Sequence, residues 1–128
     1  MALGKQIAEF SGKSTSVTIG PGPGNVPTFQ VNMEGTVSLE GKEGTYALTY
    51  HTAGELGAKS GTWSWYGIIA MKDGTSMGFH GQGTWDEIGA GKWRYRGTGQ
   101  LSDGRTYGYE FEGDWATRTW AGKAFEWS

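Results

Sequence analysis

A strict two-residue alternation of glycine or apolar residues with polar or small ones runs through the second half of the chain. In residues 77–85 every odd position is apolar or glycine, and every even position is polar or small. Residues 93–101 and 107–113 repeat this alternation. Because successive side chains of a β-strand point to opposite faces, the pattern predicts a sheet with one aromatic face and one charged face.

Glycines and turn signals divide the whole chain into short strands. The 24 glycines occur throughout, and a glycine inside a helix costs about 1 kcal/mol relative to alanine. By its length, the chain is predicted to form a single domain over residues 1–128. The predicted strands are residues 5–10, 13–19, 28–40, 44–52, 61–71, 76–86, 92–101, 105–113 and 117–127. If the first two of these are one bent strand, eight strands remain.

Two Asp-Gly pairs, at residues 73–74 and 103–104, mark hairpin loops that decide which residues face each other. At the second pair, a two-residue turn would place Arg96 opposite Phe111 and mix the two faces. A three-residue loop with glycine in the left-handed conformation places Arg96 opposite Glu110 and keeps apolar groups on one side. The three-residue loops also predict these pairs: Arg94 with Glu112, Tyr95 with Phe111, Tyr107 with Gly99, Tyr109 with Gly97, Trp65 with Gly81, Trp63 with Gly83, Tyr66 with His80, and Ser64 with Gln82.

The hairpin across residues 87–91 is predicted to continue the same division of faces. A strongly curved sheet of about eight strands closes readily into a barrel. The predicted fold class is therefore all-β, a single antiparallel up-and-down barrel with an aromatic and glycine interior. Residues 52–60, the longest stretch without alternation, are interpreted as a flap over one end. The pairs predicted across residues 87–91 are Trp85 with Trp93, Gly83 with Tyr95, and Phe79 with Gly99.

The barrel interior is predicted either to hold one small ligand or to be filled by side chains. Aromatic rings offer stacking surfaces, and Tyr and Trp add a polar group toward a ligand. Glycines on the inner face favour a cavity because absent side chains leave space; they are Gly81, Gly83, Gly97 and Gly99. Met77 is also expected on this face. The alternative to a ligand cavity is a plain packed core. The expected ligand-binding residues are Trp63, Trp65, Phe79, Trp85, Trp93, Tyr95, Tyr107, Tyr109 and Phe111.

Composition and charge narrow the classes of partner. The chain has no cysteine, which excludes disulfides, thiolate zinc sites and thiol nucleophiles. Its net charge of −2 argues against nucleic acid or an anionic membrane as a partner. No stretch approaches the roughly 20 apolar residues of a membrane span. Residues 1–10 lack the apolar core and cleavage pattern of a signal peptide. We therefore expect a cytoplasmic protein.

Few titratable groups are candidates for metal binding or acid–base chemistry. His51 and His80 are the only histidines, and both fall on the polar face of their strands. A metal site normally needs three or more convergent ligands, so we expect no metal, and we expect no cofactor. Glu110 and Glu112 are interpreted as carboxylates paired with arginines on the solvated face, rather than as a pair for glycoside hydrolysis.

Glu34 and Tyr109 are the candidate catalytic residues. If the strand near residues 28–40 is inverted, Glu34 lines the cavity together with Gln30 and Asn32 and becomes the candidate general base. Tyr109 is one of the inner-face tyrosines that offer a hydroxyl group. The predicted interior otherwise contains no ionised group. This favours binding, or a cyclisation that needs only a shaped apolar cavity.

Two glycine motifs and the succession of short hairpins resemble a known group of barrels. Residues 81–85 read Gly-x-Gly-Thr-Trp and residues 97–101 read Gly-Thr-Gly-x-Leu. Over residues 28–113 the chain resembles small calycin-like barrels, and in particular the allene oxide cyclase-like barrel group, which includes uncharacterised bacterial members. The resemblance implies an eight-stranded barrel with an apolar cavity. Some members cyclise or isomerise hydrophobic substrates, and barrels of this group often associate through their outer faces, so a homo-oligomer is a further expectation.

Three functions of different classes are consistent with these observations. The first is a carrier or sensor that binds a small hydrophobic or aromatic molecule in the apolar cavity. The second, suggested by the resemblance, is a cyclase or isomerase that acts on a conjugated apolar substrate in the same cavity. The third is a structural or interaction domain with a filled core. A dry, filled interior would favour the third, and an open cavity with Glu34 or a histidine in it would favour the second.

Overall fold

The computed structural model describes residues 3–53 and 59–127, which form a closed barrel of eight antiparallel strands. Each strand pairs with the next in the chain, and the first pairs with the last. A short 3-10 helix at Pro23–Asn25 links the first two strands. The all-β, up-and-down barrel predicted from the sequence is confirmed. The strands are β1 (Leu3–Gly20), β2 (Thr28–Leu39), β3 (Lys42–Ala53), β4 (Ser60–Met71), β5 (Ser76–Gly89), β6 (Lys92–Leu101), β7 (Thr106–Asp114) and β8 (Thr119–Trp127).

β1 is 18 residues long and joins two of the predicted strands into one. Its register against β2 shifts between Ser14 and Ser16, and its register against β8 shifts between Leu3 and Ala8. Such β-bulges bend a strand and increase its local twist. The bends let β1 pair with both neighbours and close the barrel, so the interpretation as one bent strand is confirmed.

The two Asp-Gly hairpins have the predicted three-residue loops. Gly74 and Gly104 adopt φ values of 93° and 94°, which glycine reaches without the steric cost of a Cβ. The Asp103 carboxylate accepts a hydrogen bond from the backbone N–H of Arg105 at 3.0 Å. This bond lowers the pKa of the Asp103 carboxyl below its usual value. Every residue pair predicted for these two hairpins is present in the sheet.

The pairs predicted across the third hairpin, Trp85 with Trp93 among them, are wrong by two residues. β5 continues to Gly89, and a two-residue turn at residues 90–91 replaces the expected longer loop. Gly91 has a φ of 73° in this turn, and the register is irregular between Glu87 and Gly89. A shift of two residues leaves every side chain on its predicted face. The observed pairs are Trp85 with Tyr95, Gly83 with Gly97, and Phe79 with Leu101.

The predicted inner and outer faces of the barrel are confirmed. Each aromatic residue predicted inside is buried or, like Phe79 and the neighbouring Met77, half-buried. On the outer face His80, Arg96 and Glu110 are exposed. Among the residues that the structure describes, no helix is long and apolar enough to cross a membrane.

The inner-face glycines make room for aromatic rings and do not leave empty space. A Cβ atom on Gly99 would lie 2.6 Å from the hydroxyl oxygen of Tyr107, its cross-strand partner. A Cβ atom on Gly81 would overlap the ring of its partner Trp65. The inference that these glycines open a cavity is therefore wrong, because the rings opposite them fill the space.

Candidate functional site

Four rings form a layer across the barrel and separate two apolar spaces. We call this set, Tyr50, Trp63, Tyr95 and Phe111, the aromatic layer. The centroid of the Trp63 ring lies 5.2 Å from that of Tyr50, 5.0 Å from that of Tyr95 and 5.1 Å from that of Phe111. Tyr95 and Phe111 stack at 4.5 Å with an interplanar angle of 9°. Trp63 and Phe111 line the space on one side, and Tyr50 and Tyr95 line the space on the other.

The inner cavity lies on the side of the layer that faces the loops at residues 72–74 and 102–104. Its volume is about 90 Å³, which is smaller than an apolar cavity of about 150 Å³ that holds one benzene. The rings around it pack on each other: Trp63 stacks on Trp65 at 4.7 Å, and Tyr109 meets Trp65 edge-on at 4.5 Å. This side of the barrel is therefore close to a filled core. The predicted ligand-binding residues here are Trp63, Trp65, Phe79, Tyr107, Tyr109 and Phe111.

Three tyrosines line the inner cavity: Tyr46, Tyr107 and Tyr109. Burial raises the pKa of Tyr46 to about 12 and raises the pKa of Tyr107 and Tyr109 further above the usual tyrosine value. The indole N–H of Trp65 lies near the Tyr107 hydroxyl and offsets part of the rise in its pKa. The Tyr109 hydroxyl lies near the indole N–H of Trp63 but outside hydrogen-bond geometry. These hydroxyls stay protonated at neutral pH, so Tyr109 is suited to donate a hydrogen bond and unsuited to act as a base.

The mouth pocket lies on the other side of the aromatic layer, at the end of the barrel where β1, β3, β5 and β7 finish. Its volume is about 270 Å³, larger than the benzene-sized cavity of about 150 Å³. Residues 54–58, part of the predicted flap, belong to the connection from β3 to β4 and lie outside the described residues. The pocket is lined by Val17, Ile19, Phe29, Tyr50, Thr52, Trp85, Trp93, Tyr95, Trp115 and Arg118.

Trp115 forms one wall of the mouth pocket, from the turn between β7 and β8. Its ring meets Trp93 edge-on at 6.4 Å and Trp120 edge-on at 6.1 Å. The Arg118 guanidinium lies 4.5 Å from the centroid of the Trp115 ring, a distance at which a cation is attracted by the ring face. The indole N–H groups of Trp85 and Trp93 are buried and have no hydrogen-bond partner among the described residues.

The structure divides the predicted ligand-binding residues between the two spaces. Trp85, Trp93 and Tyr95 line the mouth pocket, and the other six line the inner cavity. Sequence reasoning missed most of the mouth pocket, although Trp115 continues the odd-position alternation of residues 107–113. The missed residues are Val17, Ile19, Phe29, Tyr50, Thr52, Trp115 and Arg118.

The candidate titratable groups lie on the outer wall of the barrel. Glu34 is exposed, and its neighbour Met33 is buried, so the inverted orientation of β2 that would line the cavity with Glu34 is wrong. His51 and His80 are also exposed, and His80 stacks on Tyr66 at 5.8 Å. Residues 3–53 and 59–127 contain no group of three or more His, Cys, Asp or Glu side chains placed to hold a metal ion.

Of the two ion pairs predicted for the outer wall, Arg96 with Glu110 is confirmed, and Arg94 with Glu112 is not present among the described residues. Arg96 lies 4.0 Å from Glu110, its partner across the hairpin. Arg94 stands opposite Glu112 in the sheet, but its guanidinium pairs with Asp86 on β5 at 3.9 Å. None of these charges reaches either apolar space.

Comparison with known proteins yields no relative of this chain. No protein-family model, no curated protein and no solved structure matches it. The resemblance to allene oxide cyclase-like barrels stays a prediction, and the function has to be inferred from the geometry of the two spaces.

Proposed function

We propose that the protein binds a small hydrophobic or aromatic molecule in the mouth pocket, as a carrier or sensor. The observation that carries this proposal is an aromatic-walled space of about 270 Å³ at the end of a closed barrel. Small-molecule sites are typically concave, mostly apolar and largely preformed. The mouth pocket has these properties, whereas the inner cavity of about 90 Å³ is smaller than the cavity of about 150 Å³ that holds one benzene.

The walls of the mouth pocket are suited to a flat apolar molecule. Aromatic pairs contribute about 0.5–1.5 kcal/mol beyond the burial of their area. Trp85, Trp93 and Tyr95 extend from paired strands of a closed sheet, so their backbone positions are fixed before a ligand arrives. A preformed site of this kind binds with a smaller loss of conformational entropy than a flexible one.

A binding role agrees better with the pocket chemistry than an acid–base enzyme does. The described residues that line the mouth pocket include no carboxylate and no imidazole, and a general acid–base mechanism needs a titratable group near the reacting atom. A cyclase or isomerase of a conjugated substrate would therefore depend on the shape of the pocket alone. The expectations of a homo-oligomer and of a cytoplasmic setting stay predictions.

Titration with phenylnaphthylamine, a neutral dye that fluoresces in apolar surroundings, tests the proposal. Ile19 lines the pocket and is 65% exposed, and Ile68 lies on the outer wall and is 64% exposed. Ile19→Ser and Ile68→Ser are therefore matched substitutions with similar small costs to folding. Loss of about one buried methylene, about 0.8 kcal/mol, weakens binding about fourfold in Ile19→Ser, while Ile68→Ser binds as the unsubstituted protein does.

Trp115→Ala provides a second test of the same pocket. Removing this stacking surface is expected to weaken the dye by about threefold to tenfold. Circular dichroism of each variant establishes that the barrel is still folded. If the dye does not bind, or if Ile19→Ser and Ile68→Ser bind it equally, the mouth pocket is not the site and the proposal is wrong.

A further inference from the structure

We propose that the ligand of the mouth pocket is an anion, an aromatic or conjugated apolar molecule that carries one carboxylate or sulfonate, and that Arg118 binds this group at the rim. The inference rests on the proposed function and specifies the chemical class of its ligand. The apolar body of the molecule lies between the rings, and its charged end faces solvent beside the guanidinium.

The charge of the mouth pocket supports an anion. Arg118 is the only charged residue among the described residues that line it, and no acidic side chain lines it. The other arginines of the chain each pair with a carboxylate within 4.0 Å: Arg94, Arg96 and Arg105. Arg118 has no such pair in the part of the chain that the structure describes, so no carboxylate of those residues neutralises its charge.

The Arg118 side chain contacts the Trp115 ring at the rim of the pocket. Its guanidinium carbon lies over this ring, 4.5 Å from the centroid. This contact uses the charge of the guanidinium and no protein acceptor, so its N–H groups can donate to an oxyanion in a two-pronged geometry. The Arg118 carbonyl accepts a hydrogen bond from the Ser14 backbone N–H at 2.9 Å, which ties the turn to β1.

The backbone at Arg118 and the lining of the pocket also support an anionic ligand. Arg118 has a φ of 58°, a left-handed conformation that directs its side chain and that glycine would adopt with less strain. The rings of Trp85 and Trp93 line the pocket, and their own N–H groups are buried. The rim of the pocket therefore contains a cation, and its described lining includes no anion. An oxyanion on the ligand complements this cation.

Two dyes that share one aromatic skeleton test the inference. Anilinonaphthalenesulfonate carries a sulfonate, and phenylnaphthylamine lacks it. Because Arg118 is exposed, the attraction is partly screened, and we expect the sulfonate dye to bind about threefold to tenfold more tightly than the neutral one. Raising the salt from about 0.1 M to about 1 M shortens the Debye length from about 10 Å to about 3 Å and should remove most of this preference.

Three substitutions separate the role of Arg118 from that of net charge. Arg118→Gln should bind the two dyes equally. Arg118→Lys keeps the charge and should retain part of the preference. Arg96→Gln, on the outer wall, removes the same charge from the protein and should leave the preference unchanged. If the preference is absent in the unsubstituted protein or persists in Arg118→Gln, the inference is wrong.

The outcomes for the ligand class and for the pocket itself are distinguishable. If phenylnaphthylamine binds and is weakened by Ile19→Ser, but the sulfonate dye binds no better, the proposed function stands and the anion inference fails. If neither dye binds, both fail. If the sulfonate dye alone binds and Arg118→Gln abolishes its binding, the anion is recognised without an apolar pocket, which contradicts the inference as stated.

Discussion

A methyl group added at Gly99 should destabilise the barrel, because the close approach of ring and strand at this glycine leaves no room for it. A Cβ atom there would lie 2.6 Å from both the His80 carbonyl oxygen and the Tyr107 hydroxyl oxygen. Ordinary contacts of a Cβ atom begin at 3.4 Å, so the neighbours must retreat by 0.8 Å, the difference between 3.4 and 2.6 Å. One of them is backbone in a paired strand and cannot rotate away.

The expected cost of Gly99→Ala follows from measured overpacking. Inserting a methylene-sized group into a well-packed core costs about 1–3 kcal/mol. For a domain of this size, each kcal/mol lowers Tm by about 3–4 °C, so Tm should fall by about 3–12 °C. The matched control is Gly78→Ala on the adjacent strand β5. Its Cβ atom would meet only the Gly67 carbonyl oxygen, at 3.8 Å, and its φ is not in the left-handed region. It should be neutral or stabilising by up to about 1 kcal/mol.

Urea unfolding followed by tryptophan fluorescence measures both variants. If m is unchanged, the shift of the midpoint reports the difference in free energy of unfolding. Tyr107→Phe in the Gly99→Ala background removes the hydroxyl contact and should restore only part of the loss. The His80 carbonyl oxygen at 2.6 Å and the Cζ atom of ring 107 at 2.7 Å both remain. A Gly99→Ala barrel as stable as Gly78→Ala would refute the idea that this glycine is required by the ring opposite it.

Three further predictions concern the tyrosines, the outer wall and the hairpin loops. The pKa of Tyr46 is raised to about 12 in the folded protein and is about 10 when unfolded, so its stabilising contribution is complete below about pH 10 and is lost as pH rises through about 12. The urea midpoint should therefore fall above about pH 10, and it should fall less in Tyr46→Phe. Glu110→Gln breaks an exposed pair with Arg96 at 4.0 Å and should change the free energy of unfolding by less than about 1 kcal/mol. A larger loss of stability in thermal unfolding would contradict an exposed, screened pair. The pKa of Asp103 is lowered by the Arg105 backbone N–H, so its contribution to stability is present above its unfolded pKa of about 3.9 and is lost as pH falls through the folded value. An NMR titration of the Asp103 carboxyl should give a midpoint below that of an unfolded aspartate.

The faces of the barrel were predictable from the sequence, because alternation along each strand records which side is buried. Register was predictable where a loop type decided between mixed and separated faces, as at Asp103. It was not predictable at residues 90–91, because sliding β5 by two residues along β6 keeps the same faces. There the tight turn at Gly91 decides the register, and alternation carries no information about it.

The candidate site was only partly predictable, for two physical reasons. The sequence places the aromatic rings inside, but the division into two spaces depends on how the rings of Trp63 and Tyr95 meet across the barrel. The position of Arg118 depends on a left-handed residue in a turn, which no periodic pattern encodes. Trp115 was the missed residue with a readable signal, since it keeps the odd-position spacing of β7.

The central claim is that a ligand enters the mouth pocket and not the inner cavity, and the indole N–H signals of the seven tryptophans test it most directly. Heteronuclear NMR during titration with anilinonaphthalenesulfonate, with signals assigned by single Trp→Phe variants, reports each indole separately. We expect the signals of Trp85, Trp93 and Trp115 to move and that of Trp65 to stay. Movement confined to Trp65 and its neighbours, or no movement at all, would contradict the account.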